Sequence, residues 1–197
     1  VNSRKVVFLF FTTLLIGSVS GAIVGFILDY EMYAEGSFLN LVFGVVWLLG
    51  ISAAFTLISQ MGFFAYLTVH RFGLGLFKSH KLWNAVQLIL IAFVIFDLIY
   101  FRYIAFVEEG QTIVGYMVMP ILLLAYGLVV AYLKARDTHE GAFVPALFFM
   151  VVVTTIEWVP ALTVNDPKWL WLYLTPLLVA NTYQLLILHR LTNQPVK

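Results

Sequence analysis

The chain has 197 residues, 62% of them hydrophobic and 11% charged, against about 45–50% and about 25% in an average soluble domain. Six spans of about 20 apolar residues each need about 120 positions, close to the whole apolar content, which excludes a water-soluble globular protein. A net charge of +1 excludes a bulk electrostatic footprint for nucleic acid. The absence of cysteine excludes disulfides, thiol chemistry and cysteine-ligated metal.

The expected fold is therefore all-α: a polytopic membrane bundle of six transmembrane helices in one integral-membrane domain, residues 1–197. The first span covers residues 6–28, behind Arg4 and Lys5. It has full span length and no small-residue cleavage pattern, so it reads as a retained helix. The acidic stretch from Asp29 to Glu35 follows. The second apolar stretch, 38–69, is too long for a single simple crossing, since a helix of that length measures about 48 Å against a hydrocarbon core of about 30 Å. Splitting it would leave His70 and Arg71 in mid-membrane and invert every later helix. One long helix running into the interface is the preferred reading, with a kink near Gly62 as its variant.

The third span, 82–101, is interrupted by Asp97. The fourth covers 113–133, the fifth 142–162 with Glu157 inside it, and the sixth 169–188, closed by His189 and Arg190. Glu108-Glu109-Gly110 and Asn165-Asp166-Pro167-Lys168 mark short links. No link is long enough to fold a kinase, sensor or nucleotide-binding domain. Whatever the protein does, it does with helices and short rims.

Charge sets the orientation. With the N-terminus inside, nine of the eleven Lys/Arg fall on the cytoplasmic side: Arg4, Lys5, Arg71, Lys78, Lys81, Lys134, Arg136, Arg190 and Lys197. Only Arg102 and Lys168 fall outside, as the positive-inside rule requires. Both termini are thus expected in the cytoplasm.

Three groups of residues stand out. Asp97 and Glu157 are carboxylates inside spans, where an ionisable group is a functional hypothesis by default; with Arg102 they form a candidate intramembrane polar cluster. Anchoring near the outer rim competes with that reading. Gly17, Gly21 and Gly25 make two overlapping small-xxx-small steps, along which another helix can approach closely. The approaching helix belongs either to this bundle or to another membrane protein. The four histidines, at positions 70, 80, 139 and 189, sit at helix ends in this reading and lack metal-site spacing. Gly73-Leu74-Gly75 reads as a loop turn. Trp83, Trp158, Trp169, Trp171 and Tyr173 read as interfacial aromatics. No nucleophile, metal or nucleotide motif is present, so neither an enzyme nor a cofactor is expected.

Several runs resemble one family. They are the run from Gln60 through His70 and Arg71 to Gly73, then Leu82-Trp83-Asn84-Ala85-Val86-Gln87, then Phe96-Asp97-Leu98-Ile99-Tyr100-Phe101-Arg102-Tyr103, with Glu108-Glu109-Gly110 after it. These are similar to the KinB-signalling pathway activation family, KbaA. The resemblance implies a multi-pass protein in the cell membrane of a spore-forming Gram-positive bacterium. Its implied partners are the lipid bilayer and a KinB-like membrane sensor histidine kinase that feeds the sporulation phosphorelay. No catalytic residues come with the resemblance. Direct helix contact with the kinase is the simplest way for such a chain to act, through the inner rim (Gln60, His70, Arg71, Trp83 and Asn84), the glycine stripe or the outer polar cluster. The alternative is a small transporter or channel using Asp97 and Glu157.

Overall fold

A computed structural model describes residues 3–34 and 36–192; Glu35 and Lys197, both used in the charge reading, lie outside them. Every regular element among the described residues is helical. In chain order they are α1 (Ser3–Leu28), the short α2 (Tyr30–Ala34), α3 (Phe38–Phe77), α4 (His80–Phe106), α5 (Ile113–Asp137), α6 (Glu140–Val164) and α7 (Pro167–Thr192). All except α2 are long and apolar enough to cross a membrane.

The ends of these helices differ from the hydropathy boundaries for local reasons. α3 is one helix of 40 residues, about 60 Å at 1.5 Å per residue. It continues through Gly73-Leu74-Gly75, which is helical rather than a loop turn. The chain then reverses in two residues: Lys78 takes a positive φ of 49°, and the Ser79 hydroxyl accepts from the Leu82 N–H as an N-cap. At the start of α7, Asn165 takes a φ of 54°, and the Asp166 carboxylate accepts from the Trp169 N–H at 2.8 Å. Pro167 holds the first helical position, where its missing N–H has no cost.

Two helices carry a wider turn. In α4 residues Asp97–Phe101 are π-helical, and in α6 so are Phe149–Val153. Single π-turns inside α-helices recur at functional positions because they re-aim the following side chains.

The chain groups into two compact units. One joins the residues up to Phe63 to those from Glu157 onward; the other is the continuous stretch Phe64–Ile156. In the first, α1 packs chiefly against α7, and Phe55 of α3 stacks on Tyr173 of α7 with ring centroids 3.8 Å apart. In the second, α4 and α5 pack on the N-terminal part of α6, whose residues Phe149, Met150 and Val151 are wholly buried.

Candidate functional site: a buried polar node on Glu157

Membrane-type helices bury few polar groups because each must find a partner within the protein. In the first unit such groups gather around Glu157, which is 6% exposed. The Asn181 amide donates to its Oε2 at 2.7 Å. Asn181 Oδ1 in turn accepts from the Ser59 hydroxyl at 2.7 Å. Gln184 Nε2 donates to Ser59 Oγ at 3.0 Å and to the Ala180 carbonyl at 3.2 Å. Asn181 and Gln184 are three apart on α7 and so share a face, and Ser59 meets them from α3. The donors run in one direction, from Gln184 through Ser59 and Asn181 to the carboxylate.

The other carboxylate oxygen is arranged differently. Glu157 Oε1 has no hydrogen-bond partner and lies against Gly62 of α3, in the space that a Cβ at this position would need. Glycine is required there by close approach, not by backbone conformation. Nearby in sequence, Gln60 is also buried; its Nε2 donates to the Phe10 carbonyl of α1 at 3.2 Å, while its Oε1 has no partner.

The glycine stripe is an internal seam. A Cβ on Gly17 would strike Thr56, one on Gly21 would strike Ser52, and one on Gly25 would strike Leu48. Pro176 and Leu172 of α7 also close on Gly21 and Gly25. Of the two helices that the stripe could admit, one of this bundle or one of another protein, the chain's own α3 approaches all three glycines, joined by α7 at Gly21 and Gly25.

The inner-rim residues divide. Gln60 is buried in the first unit, as just described. In the second unit Trp83 is 6% exposed; its indole N–H donates to His70 Nδ1 at 3.1 Å, and its ring stacks on Phe77 and lies over Gly73. Trp83 is therefore a packed anchor, not an interfacial aromatic. The same correction holds for Trp158, which is wholly buried and donates to the Leu170 carbonyl at 3.1 Å. His70, expected at a helix end, lies inside α3, seven residues before its close. Tyr66, one turn earlier, donates to the Pro145 carbonyl at 2.7 Å. Arg71 is exposed, and His70 and Asn84 are half-buried.

Asp97 and Arg102 belong to the second unit and Glu157 to the first. Asp97 is exposed at the opening of its π-helical turn. Arg102 lies over the Tyr116 ring, 5.5 Å from its centroid, a cation–π distance. The Tyr116 hydroxyl is 2.8 Å from both the Phe106 carbonyl and Gln111 Oε1.

Asn181, Gln184 and Ser59 escaped the sequence reading. Two signals pointed to them. The helix that carries the amides is the least apolar of the six long ones, and amides three apart within a span demand partners.

The architecture and the node define a class: a small all-helical protein with six span-length helices, short links, and its polar chemistry buried among helices rather than displayed on loops. A family model described as "KbaA: KinB-signalling pathway activation in sporulation" matches residues 17–191. The "KinB-signaling pathway activation protein" of Bacillus subtilis (strain 168) is 46% identical over 192 residues, covering 95% of this chain and 96% of that protein. No solved structure matches the chain significantly. The chain belongs to the KbaA family.

Proposed function

We propose that this protein is a non-enzymatic, multi-pass membrane protein that promotes signalling by a KinB-like sensor histidine kinase into the sporulation phosphorelay. Both termini face the cytoplasm of a spore-forming Gram-positive bacterium. The observation that carries this reading is the 46% identity to a KinB-signaling pathway activation protein along nearly the full length of both chains. The helical architecture supports it: six span-length helices with short links favour action inside the bilayer.

Contact with the kinase shifts its activity only if the two kinase states bind this protein with different affinity. The rim of α3 supports such a contact. Arg71 is exposed there, and Phe72 and Leu76 are 71% and 65% exposed on the same stretch of helix. Asn84, half-buried near the start of α4, is the polar group of that rim on the following helix.

The test is genetic. The gene is deleted in its host with and without the cognate membrane kinase, and spores are counted. The expected result is a loss of sporulation seen only when the kinase is present. Additive losses overturn the reading and favour transport through Asp97 or Glu157 instead.

A further inference from the structure

The node contains a buried acid whose chemistry the signalling role leaves unused. Glu157 is 6% exposed, and its Oε2 is held by a neutral amide, Asn181 Nδ2, at 2.7 Å. Its Oε1 is aimed at Gly62 with no hydrogen-bond partner. An unpaired buried carboxylate oxygen is costly, so the arrangement needs something to bind Oε1.

Two features identify what that is. The first is room: Oε1 already fills the space beside the Gly62 Cα, so the ligand must add almost no volume. The second is polarity. The oxygen of Asn181 is taken by the Ser59 hydroxyl and that of Ser59 by the Gln184 amide. The run of side chains therefore presents a donor to the carboxyl, whereas a metal ion needs several oxygen acceptors. The second excludes a metal; a proton meets the first and removes the buried charge.

The surrounding groups leave this assignment undisturbed. α3 presents Ser59 and Gly62, neither of them ionisable. On α7 the titratable side chain that shares the field of Glu157 is Tyr173. The buried face of α1 (Leu9, Thr13, Gly17, Ser18, Gly21 and Gly25) is uncharged.

We propose that Glu157 is a proton-binding site, taking up and releasing one proton at Oε1, and that the two states seat its side chain differently on Gly62 of α3. On uptake, one O–H bond forms at Oε1 and the carboxylate loses its charge; on release, the proton leaves to water and the charge returns. This goes beyond the signalling role and stands without it. Joined to that role, it makes the proton an input to the pathway.

The experiment uses the full chain in phosphatidylcholine vesicles, with no kinase present. Infrared difference spectra between alkaline and acidic pH are recorded for the unmodified protein and for Glu157→Gln. The expected result is a protonated-carboxyl C=O band in the unmodified protein that is lost in Glu157→Gln. Superimposable spectra overturn the proposal. Should Glu157→Gln fail to accumulate, Glu157→Asp keeps the acid and shortens its arm; a displaced band supports the site and an unchanged band overturns it. In the unmodified protein, the NMR signal of Gly62 should move with the same midpoint, and a pH-invariant Gly62 overturns the change in seating. Spore counts for Glu157→Gln form a separate arm: a defect seen only with the kinase present links the proton to signalling, and normal counts overturn that link while the infrared result stands.

Discussion

Glu157 Oε1 and the Cα of Gly62 are packed so closely that the space for a Cβ at position 62 is already taken by the carboxylate. A carboxyl group resting on bare backbone in the interior of a helical bundle couples two positions 95 residues apart (62 and 157). Gly62→Ala should therefore destabilise the protein by about 1–3 kcal/mol, the usual cost of overpacking. Glu157→Ala removes the obstruction, so the double variant should lose clearly less than the sum of the two single losses. Reversible unfolding in mixed micelles measures both quantities.

Asn181 links the carboxylate to Ser59. Replacing it with leucine leaves Glu157 Oε2 without its donor and the Ser59 O–H without its acceptor, both buried. The expected loss is about 1–3 kcal/mol for each unsatisfied group. The same unfolding measurement on Asn181→Leu, Ser59→Ala and their double variant should show strong non-additivity, because one network is being cut twice.

The glycines divide by what surrounds them. At Gly50 and Gly75 a Cβ would meet nothing within 4 Å, whereas at Gly17, Gly21 and Gly25 it would strike side chains of α3 at once. Gly50→Ala and Gly75→Ala should leave accumulation in the membrane unchanged, within about 1 kcal/mol of parent stability. Gly21→Leu should abolish accumulation, since Ser52 and Pro176 both crowd that position. Quantitative immunoblotting of membrane fractions distinguishes them.

Trp83→Phe keeps the ring over Gly73 and removes the N–H that reaches His70. A loss of about 0.5–1.5 kcal/mol is expected, the net value of one hydrogen bond. Gly73→Ala should cost more, because the added methyl group meets the indole directly. The exposed Asp29–Lys168 pair provides the contrast: Asp29→Asn should leave the unfolding midpoint unmoved, since exposed pairs contribute little.

Much of this architecture was legible in the amino-acid pattern because span-length apolar runs leave little choice. The six helices and the unbroken second stretch follow from hydropathy and charge. Helix ends were harder: hydropathy stops at the first charged residue, whereas backbone hydrogen bonding carries α3 past His70 and Arg71 to Phe77. Glu157 was visible as an acid in a span, but its partners were not. Pairing it with Asn181 and Ser59 requires knowing which helix faces which, and amphipathic periodicity is almost absent from helices that are apolar all round. The tryptophans misled for a related reason. An indole suits a membrane interface and a packed interior equally well, and its N–H partner alone tells them apart.

The pairing of α1 with α7 bears on how the protein is made. A ribosome delivers α1 first, yet the side chains that seat beside Gly21 and Gly25 include Pro176 and Leu172, and Glu157 finds its amide only when Asn181 arrives. The stretch Phe64–Ile156 is continuous and can assemble while synthesis proceeds. The earlier helix can meet Leu48, Ser52 and Thr56 of α3 first, but its contacts with α7 form only once that helix is made. A chain that stops short of Asn181 therefore leaves Glu157 buried without its amide, and the first unit lacks the last partner of its earliest helix.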